Sequence, residues 1–450
     1  MGGLMTKTGG CLAILLSLYV PNLPNPSDPR NLSDRFRRSG LRDPSVLVAP
    51  AQVSFEAAVR DLTSADPATR LRAVQMLKAT PYPEAAVPLA ALVTDPQDDI
   101  QLEAIAAELN IFLLEPVVSR KRVGLIVERR TSVLTESAFS SGPLAVGARP
   151  VPIEVLNALR LAARDDNPRI AREALYAFGV LGSEPSGPAR RELLRSSGPE
   201  LAALTGASDP ALRCAAVRVA GRVFARRAHD TPIEEPIGDA VITALNDNDR
   251  AVKAAAMQAL GSMRYERGIQ ALTALYQYYG TNTGADAALD ALARIGHPSS
   301  APVFAEALAG KNAARRGIAI EGFARIGDAT KLGAIERALV NERSEGAVLA
   351  GVFAAARLAN APITRIADAV TKARMRDQAL QYLIELAPGR APAFRPHLQD
   401  PDARIRLDLV DVLGLGGDVE AIPILEPLLT DRDPEVAGAA ERAIARLRAS

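Results

Sequence analysis

The stretch Asp66-Pro67-Ala68-Thr69-Arg70-Leu71-Arg72-Ala73 decides the architecture, because it returns along the chain. It recurs as Asn167-Pro168-Arg169-Ile170-Ala171-Arg172-Glu173-Ala174 and as Asp209-Pro210-Ala211-Leu212-Arg213-Cys214-Ala215-Ala216. Near the end come Asp400-Pro401-Asp402-Ala403-Arg404-Ile405-Arg406-Leu407 and Asp433-Pro434-Glu435-Val436-Ala437-Gly438-Ala439-Ala440. Weaker copies begin at Asp98, Asp249 and Asn312, and segments near Gly284 and Ser344 keep only an alanine-rich helical pattern. Most neighbouring copies lie about 27 to 42 residues apart, the period of a repeat array rather than of a single globular core, but those at Asp98 and Pro168 are about 70 apart, twice the usual step.

Each copy has a physical logic. Asp or Asn caps a helix through its side-chain oxygen. Proline at the first helical position sacrifices no needed donor and presets φ. Small and aliphatic residues then follow at helical spacing, as in Ala73, Met76 and Leu77. Several copies close on an aliphatic residue plus glycine: Leu181-Gly182, Leu260-Gly261, Ile295-Gly296, Ile326-Gly327 and Leu413-Gly414. Glycine there suits a left-handed helix terminus. A second helical stretch precedes each cap, over 84–93, 153–163, 240–245 and 422–429. The unit is therefore helix, turn, helix, turn. Arg70, Arg213, Lys253, Arg316 and Arg404 fall at matching positions, which predicts polar ties between repeats.

The pattern Asp-Pro-x-Val/Leu-Arg-x-x-Ala with Leu/Ile-Gly closings resembles the HEAT-like family, specifically its short repeats of the phycobilin-lyase type. It is best at 66–73 and 209–216. The resemblance implies an all-α fold, a right-handed α-α superhelix of about ten helix pairs, with the second helices lining a concave face. It is specific for architecture and nearly silent on function. The domain plan reads as an N-terminal leader or flexible segment over 1–52, repeats over 53–113, an insertion or degenerate repeat over 114–151, and repeats over 152–450. Within the insertion, 123–127 could form a short strand.

Composition narrows the chemistry. The 450 residues are 48% hydrophobic but only 4% aromatic, with no tryptophan, so helix contacts are thin and numerous. Lys and Arg number 53 against 52 Asp and Glu, which excludes a globally basic nucleic-acid binder and makes nucleic acid an unfavoured partner. Two cysteines, Cys11 and Cys214, exclude a disulfide framework, and three dispersed histidines supply no metal-ligand spacing. Neither a P-loop nor a GxSxG elbow is present. No cofactor, metal or catalytic residue is expected. Cys11–Val20 is an apolar run preceded by Lys7, too short to span a membrane and similar to the start of an export signal. The expected location is exported or periplasmic, in a bacterial envelope, with the cytoplasm as the alternative.

Two groups of residues are candidates for binding. Arg218, Arg222 and Arg226 lie at i, i+4 and i+8 behind Arg213, a basic stripe able to grip an acidic peptide; the competing reading is a solvated, self-paired face. Tyr276, Tyr278 and Tyr279 could anchor a peptide or seal a junction between repeats. The favoured function is a non-enzymatic scaffold binding a protein or peptide on the concave face. The alternative is a lyase-like or nucleic-acid-acting enzyme that uses the groove as an active site.

Overall fold

A computed structural model of the protein describes residues 54–114, 146–147, 149–183, 187–226, 233 and 235–449. The expected leader, the possible strand at 123–127 and most of the expected insertion lie outside these residues. Contacts divide the chain between Val53 and Ser54, and the unit from Ser54 onward holds everything described below.

Eleven pairs of helical segments succeed one another among the described residues, which carry no strand and one isolated antiparallel bridge, Leu113 to Val146. The second member of each pair is the regular one. Pro67–Ala79 starts on Asp66, whose carboxylate accepts from the Ala68 and Thr69 amides. Asp209 caps Pro210–Val223 and Asp249 caps Arg250–Met263 in the same manner. Asn282 and Ser344 do so for Thr283–Ile295 and Glu345–Ala359, where the sequence pattern is weakest.

The first members are shorter and often broken. The helix expected over 84–93 is a 3-10 turn, the short α-helix Ala86–Ala90 and a second 3-10 turn. The one expected over 422–429 is Ile422–Leu425 followed by a 3-10 segment. Pro88, Pro423 and Pro427 explain the breaks, since proline removes a helical donor and clashes with the preceding turn.

The second helices stack in one row from Pro67–Ala79 to Pro434–Ala449, each packed on the next. Asp98–Phe112 packs directly on Pro168–Leu181, so the row is continuous on the two sides of residues 115–145. Small residues let these helices approach. A Cβ on Gly221 would come within 2.7 Å of the Ala259 Cα, and one on Gly414 within 2.7 Å of the Ala443 Cβ. This corrects part of the glycine reading. Gly261 and Gly414 lie inside their helices, and Gly182 keeps right-handed φ; of these five, Gly296 and Gly327 alone close their helices at positive φ, +66° and +83°, while Gly417 closes the helix that holds Gly414. In the fifth pair the left-handed residue is Arg264, at φ +49°.

The predicted ties between repeats exist, with one shift of register. Arg70 grips the Asp95 carboxylate of the next pair through Nε (2.7 Å) and Nη2 (3.0 Å). Its Nη1 donates to the Ser64 and Ala65 carbonyls of its own turn. Arg213 repeats the arrangement on Asp247, at 2.7 and 2.9 Å, with Ala207 and Ser208. Arg316 does so on Glu342 with Gly310. Each carboxylate also accepts an amide of its own turn, for example Asp247 from Asp249 at 2.8 Å. One guanidinium thus fastens two successive turns. In the tenth pair the clamp is Arg406, not Arg404: it holds Asp431 at 2.9 and 2.6 Å and reaches the Asp400 and Pro401 carbonyls. Asp402 rather than Asp400 caps that helix, so the position four residues on is Arg406, and Arg404 faces solvent. Lys253 makes no such clamp; it acts on Asp247 only through its charge.

Candidate functional site

The residues expected to bind divide between structural work and exposure. Arg213 is the clamp on Asp247. Arg222 donates from Nε to the Gly179 carbonyl (3.1 Å) and from Nη2 to Ser183 Oγ (3.2 Å), joining the fourth pair to the third. Arg218 is half-buried, whereas Arg226 is exposed and its backbone amide donates to the Ser262 carbonyl of the fifth pair at 3.1 Å. Tyr276 is buried beneath the Arg315 guanidinium, 5.8 Å from the ring centre, and burial pushes its hydroxyl pKa up. Tyr278 is 82% exposed and meets the half-buried Tyr279 edge-on at 5.3 Å. The stripe of arginines is therefore not one free face, and the three tyrosines do not form one anchor.

A second set of arginines sits at the C-terminal ends of the second helices, where Arg222 also lies. Arg294, Arg325 and Arg357 occupy the last turns of Thr283–Ile295, Ala313–Ile326 and Glu345–Ala359. There cations oppose the negative end of the helix dipole. Arg357 donates from Nε to the Ala324 carbonyl of the preceding helix at 3.1 Å. Arg390 reaches the Ala356 carbonyl at 2.5 Å. The signal was present as Ala293-Arg294-Ile295-Gly296 and Ala324-Arg325-Ile326-Gly327, where attention to the glycine hides the arginine before it.

Around Arg325 this row becomes a buried polar knot. Arg325 has a side chain only 4% exposed. It pairs with Glu385 at 2.8 and 2.9 Å and with Glu321 at 3.0 Å. Its guanidinium lies 5.6 Å from the Phe353 ring centre, and Phe353 stacks on Tyr382 at 4.3 Å. Tyr382 donates to Glu321 and accepts from Gln378 Nε2 at 2.7 Å. Burial and the Glu321 charge hold the Tyr382 hydroxyl well above its ordinary range. Burial pushes Glu385 up, but Arg325, with help from Arg264 and Arg357, brings it below the ordinary carboxylate value.

Arg264 acts on this knot through its charge. It is exposed, and among the described residues its side chain donates to no carboxylate. Yet it lies within electrostatic reach of Glu385, Arg325, Arg357 and Arg226. Desolvation by the surrounding protein lowers its pKa, Glu385 opposes that, and the three arginines add to it. Side chains of the seventh, eighth and ninth pairs, Arg325, Phe353, Tyr382 and Glu385, thus meet in one place.

Residues 198–279 match the family model of HEAT repeats, a span that includes the Arg213–Asp247 clamp. Those residues are HEAT repeats, set within an all-α array of helical pairs. No curated protein matches its sequence. Among solved structures, the HEAT-like array is similar to an engineered protein at 18% identity, covering 88% of this chain and 98% of that one, with a TM-score of 0.40. It is also similar to the complex of CpcE and CpcF of phycocyanin lyase from Nostoc, at 17% identity, 55% and 93% coverage and a TM-score of 0.39. A third is Kap95p with RanGDP, at 14% identity, 87% and 55% coverage and a TM-score of 0.37. No helix among the described residues of the HEAT-like array is long and apolar enough to cross a membrane.

Proposed function

We propose that this chain is a non-enzymatic scaffold that binds a protein or peptide on the inner side of the stacked second helices. HEAT repeats commonly serve protein interactions, and an array of near-identical units presents an extended surface. The observation that carries the reading is the Arg325–Glu385 pair, which joins the seventh helical pair to the ninth at 2.8 and 2.9 Å. Residues two pairs apart, such as Arg325 and Glu385, approach on the inside of a bend and separate on its outside.

The test is affinity capture of the tagged protein from its native cells, with cross-linking to map the contact. A stoichiometric protein partner cross-linked near Arg226, Arg264 and Arg357 supports the scaffold. A partner mapped only to the first helices places the docking face on the other side of the array. Recovery of a converted small molecule, with no protein, favours the enzyme reading.

A further inference from the structure

From the fourth pair onward, two devices join successive second helices. In the first, a glycine admits the next helix. A Cβ on Gly221 would meet the Ala259 Cα at 2.7 Å, one on Gly261 the Ala291 Cα at 3.0 Å and one on Gly317 the Ala347 Cα at 3.5 Å. Gly416 and Gly414 approach Ala387 and Ala443 in the same way, each at 2.7 Å from Cβ to Cβ. The second device is an ion pair between repeats. It is Arg213–Asp247, Arg315–Asp286, Arg316–Glu342, Arg376–Asp408 or Arg406–Asp431, according to the junction.

Between the eighth pair and the ninth, neither device is present among the described residues. The residue four past the Ser344 cap is Val348, where a clamp has arginine. Gly346 faces the Gln378 side-chain amide rather than a helix backbone. Glu345–Ala359 and Arg376–Leu386 touch less than any other two successive second helices. Polar groups join them instead. Gln378 Nε2 donates to the Gly346 carbonyl at 3.1 Å, and Arg390 Nη2 to the Ala356 carbonyl at 2.5 Å. The Phe353–Tyr382 stack stands beside these bonds, and Arg325–Glu385 and Tyr382–Glu321 span the junction from the seventh pair. A side-chain bond to a carbonyl exchanges for water with little net change, whereas opening packed helices exposes apolar surface. In an array of nearest-neighbour contacts the interface with least apolar packing opens first. Resistance to opening here therefore falls on the two ties that skip a pair.

We infer that the junction between the eighth and ninth pairs is a hinge, and that Arg325–Glu385 with Tyr382–Glu321 is the latch that holds it closed. The chain crosses the hinge through Asn360, at φ +55°, and the six-residue helix Thr364–Ala369. Opening moves the ninth to eleventh pairs as one body away from the eighth. Neutralising Glu385 leaves Arg325 buried without its bidentate partner, a penalty that the open state relieves by hydration. The hinge goes beyond the scaffold reading and stands whether or not a partner is captured.

The test measures distances between nitroxide labels in the full chain by pulsed electron double resonance, in a Cys11→Ser/Cys214→Ala background. Labels at Lys311→Cys and Arg404→Cys, exposed in the seventh and tenth pairs, span the hinge. Labels at Arg250→Cys and Lys311→Cys span the fifth to the seventh pair and serve as the reference. The parent should give one narrow distribution for each span. Glu385→Gln should add a longer-distance population to the 311–404 span and leave the 250–311 span as in the parent. Tyr382→Phe keeps the ring stack but loses the tie to Glu321, and should add a smaller population of the same kind; it decides alone if Glu385→Gln does not fold by circular dichroism. Asp431→Asn breaks a clamp outside both spans and should change neither. A parent-like 311–404 distribution in the folded latch variants overturns the latch. Equal broadening of both spans, or the same change in Asp431→Asn, overturns the hinge.

Discussion

Arg325 in the seventh helical pair and Glu385 in the ninth meet across the eighth, Nη2 to Oε1 at 2.8 Å and Nε to Oε2 at 2.9 Å. Repeat arrays are held mainly by contacts between neighbours. This pair skips a neighbour, and Tyr382 to Glu321 runs in parallel with it. Phe353 of the intervening helix sits between them, stacked on Tyr382 and under Arg325. Three pairs are thereby tied into one local unit.

Breaking that tie should be costly. Removing one member of a buried, hydrogen-bonded ion pair leaves the other uncompensated, a loss of about 3–5 kcal/mol. Glu385→Gln and Arg325→Met should each fall in this range by urea denaturation. Replacing both together should recover much of the loss. An additive double variant would show that the two side chains act independently.

The clamps make a contrast between two neighbouring arginines. Arg406 is nearly buried on Asp431, while Arg404 is exposed. Arg406→Ala should cost about 1–3 kcal/mol, chiefly from carbonyl and carboxylate groups left unsatisfied. Arg404→Ala should stay within about 0.5 kcal/mol of the parent. Equal effects in thermal melts would remove the clamp from the account.

Glu108 gives a pH dependence. It is fully buried, neither carboxyl oxygen has a partner among the described residues, and burial holds its pKa well above the ordinary glutamate value of 4.5. The folded state therefore binds this proton more tightly than the unfolded chain, and stability falls as pH rises above about 4.5. Glu108→Met removes the unsatisfied group and should stabilise by about 1–3 kcal/mol at neutral pH, with an advantage that shrinks toward pH 4. Burial likewise raises Asp411 to about 6, so Asp411→Asn should flatten the stability profile between its ordinary 3.8 and about 6. A pH-independent difference in denaturation midpoint would contradict both statements.

Helix propensity supplies a local probe. Ala255 is buried within Arg250–Met263. Ala255→Pro should cost about 3 kcal/mol or more, and protection should fall first in the helices from 210 to 295. Loss spread evenly over the array would show longer-range cooperativity than neighbour packing provides.

Much of this was legible in the sequence because it is local. Capping by Asp66, Asp209 and Asn312 follows from residue chemistry at fixed offsets, and the matching position four residues later locates Arg70, Arg213 and Arg316. The same rule failed at Arg404, where Asp400 and Asp402 flank Pro401 and two caps compete. Choosing between them depends on which aspartate the turn leaves facing the helix. Gly261 and Gly414 were misread as termini because close helix approach and chain reversal both favour glycine. The Arg325–Glu385 tie was not legible at all. Periodicity gives the order of the repeats, but their curvature comes from packing, and only curvature brings the seventh pair to the ninth.

The most direct measurement is native-state hydrogen exchange on the parent and on Glu385→Gln, resolved helix by helix. The account predicts that amides in Ala313–Ile326, Glu345–Ala359 and Arg376–Leu386 share one opening free energy in the parent, and that the variant releases Arg376–Leu386 to exchange earlier, with the helices before Thr283 unaffected. Separate openings for the three helices in the parent, or one uniform opening for the whole array, would contradict it.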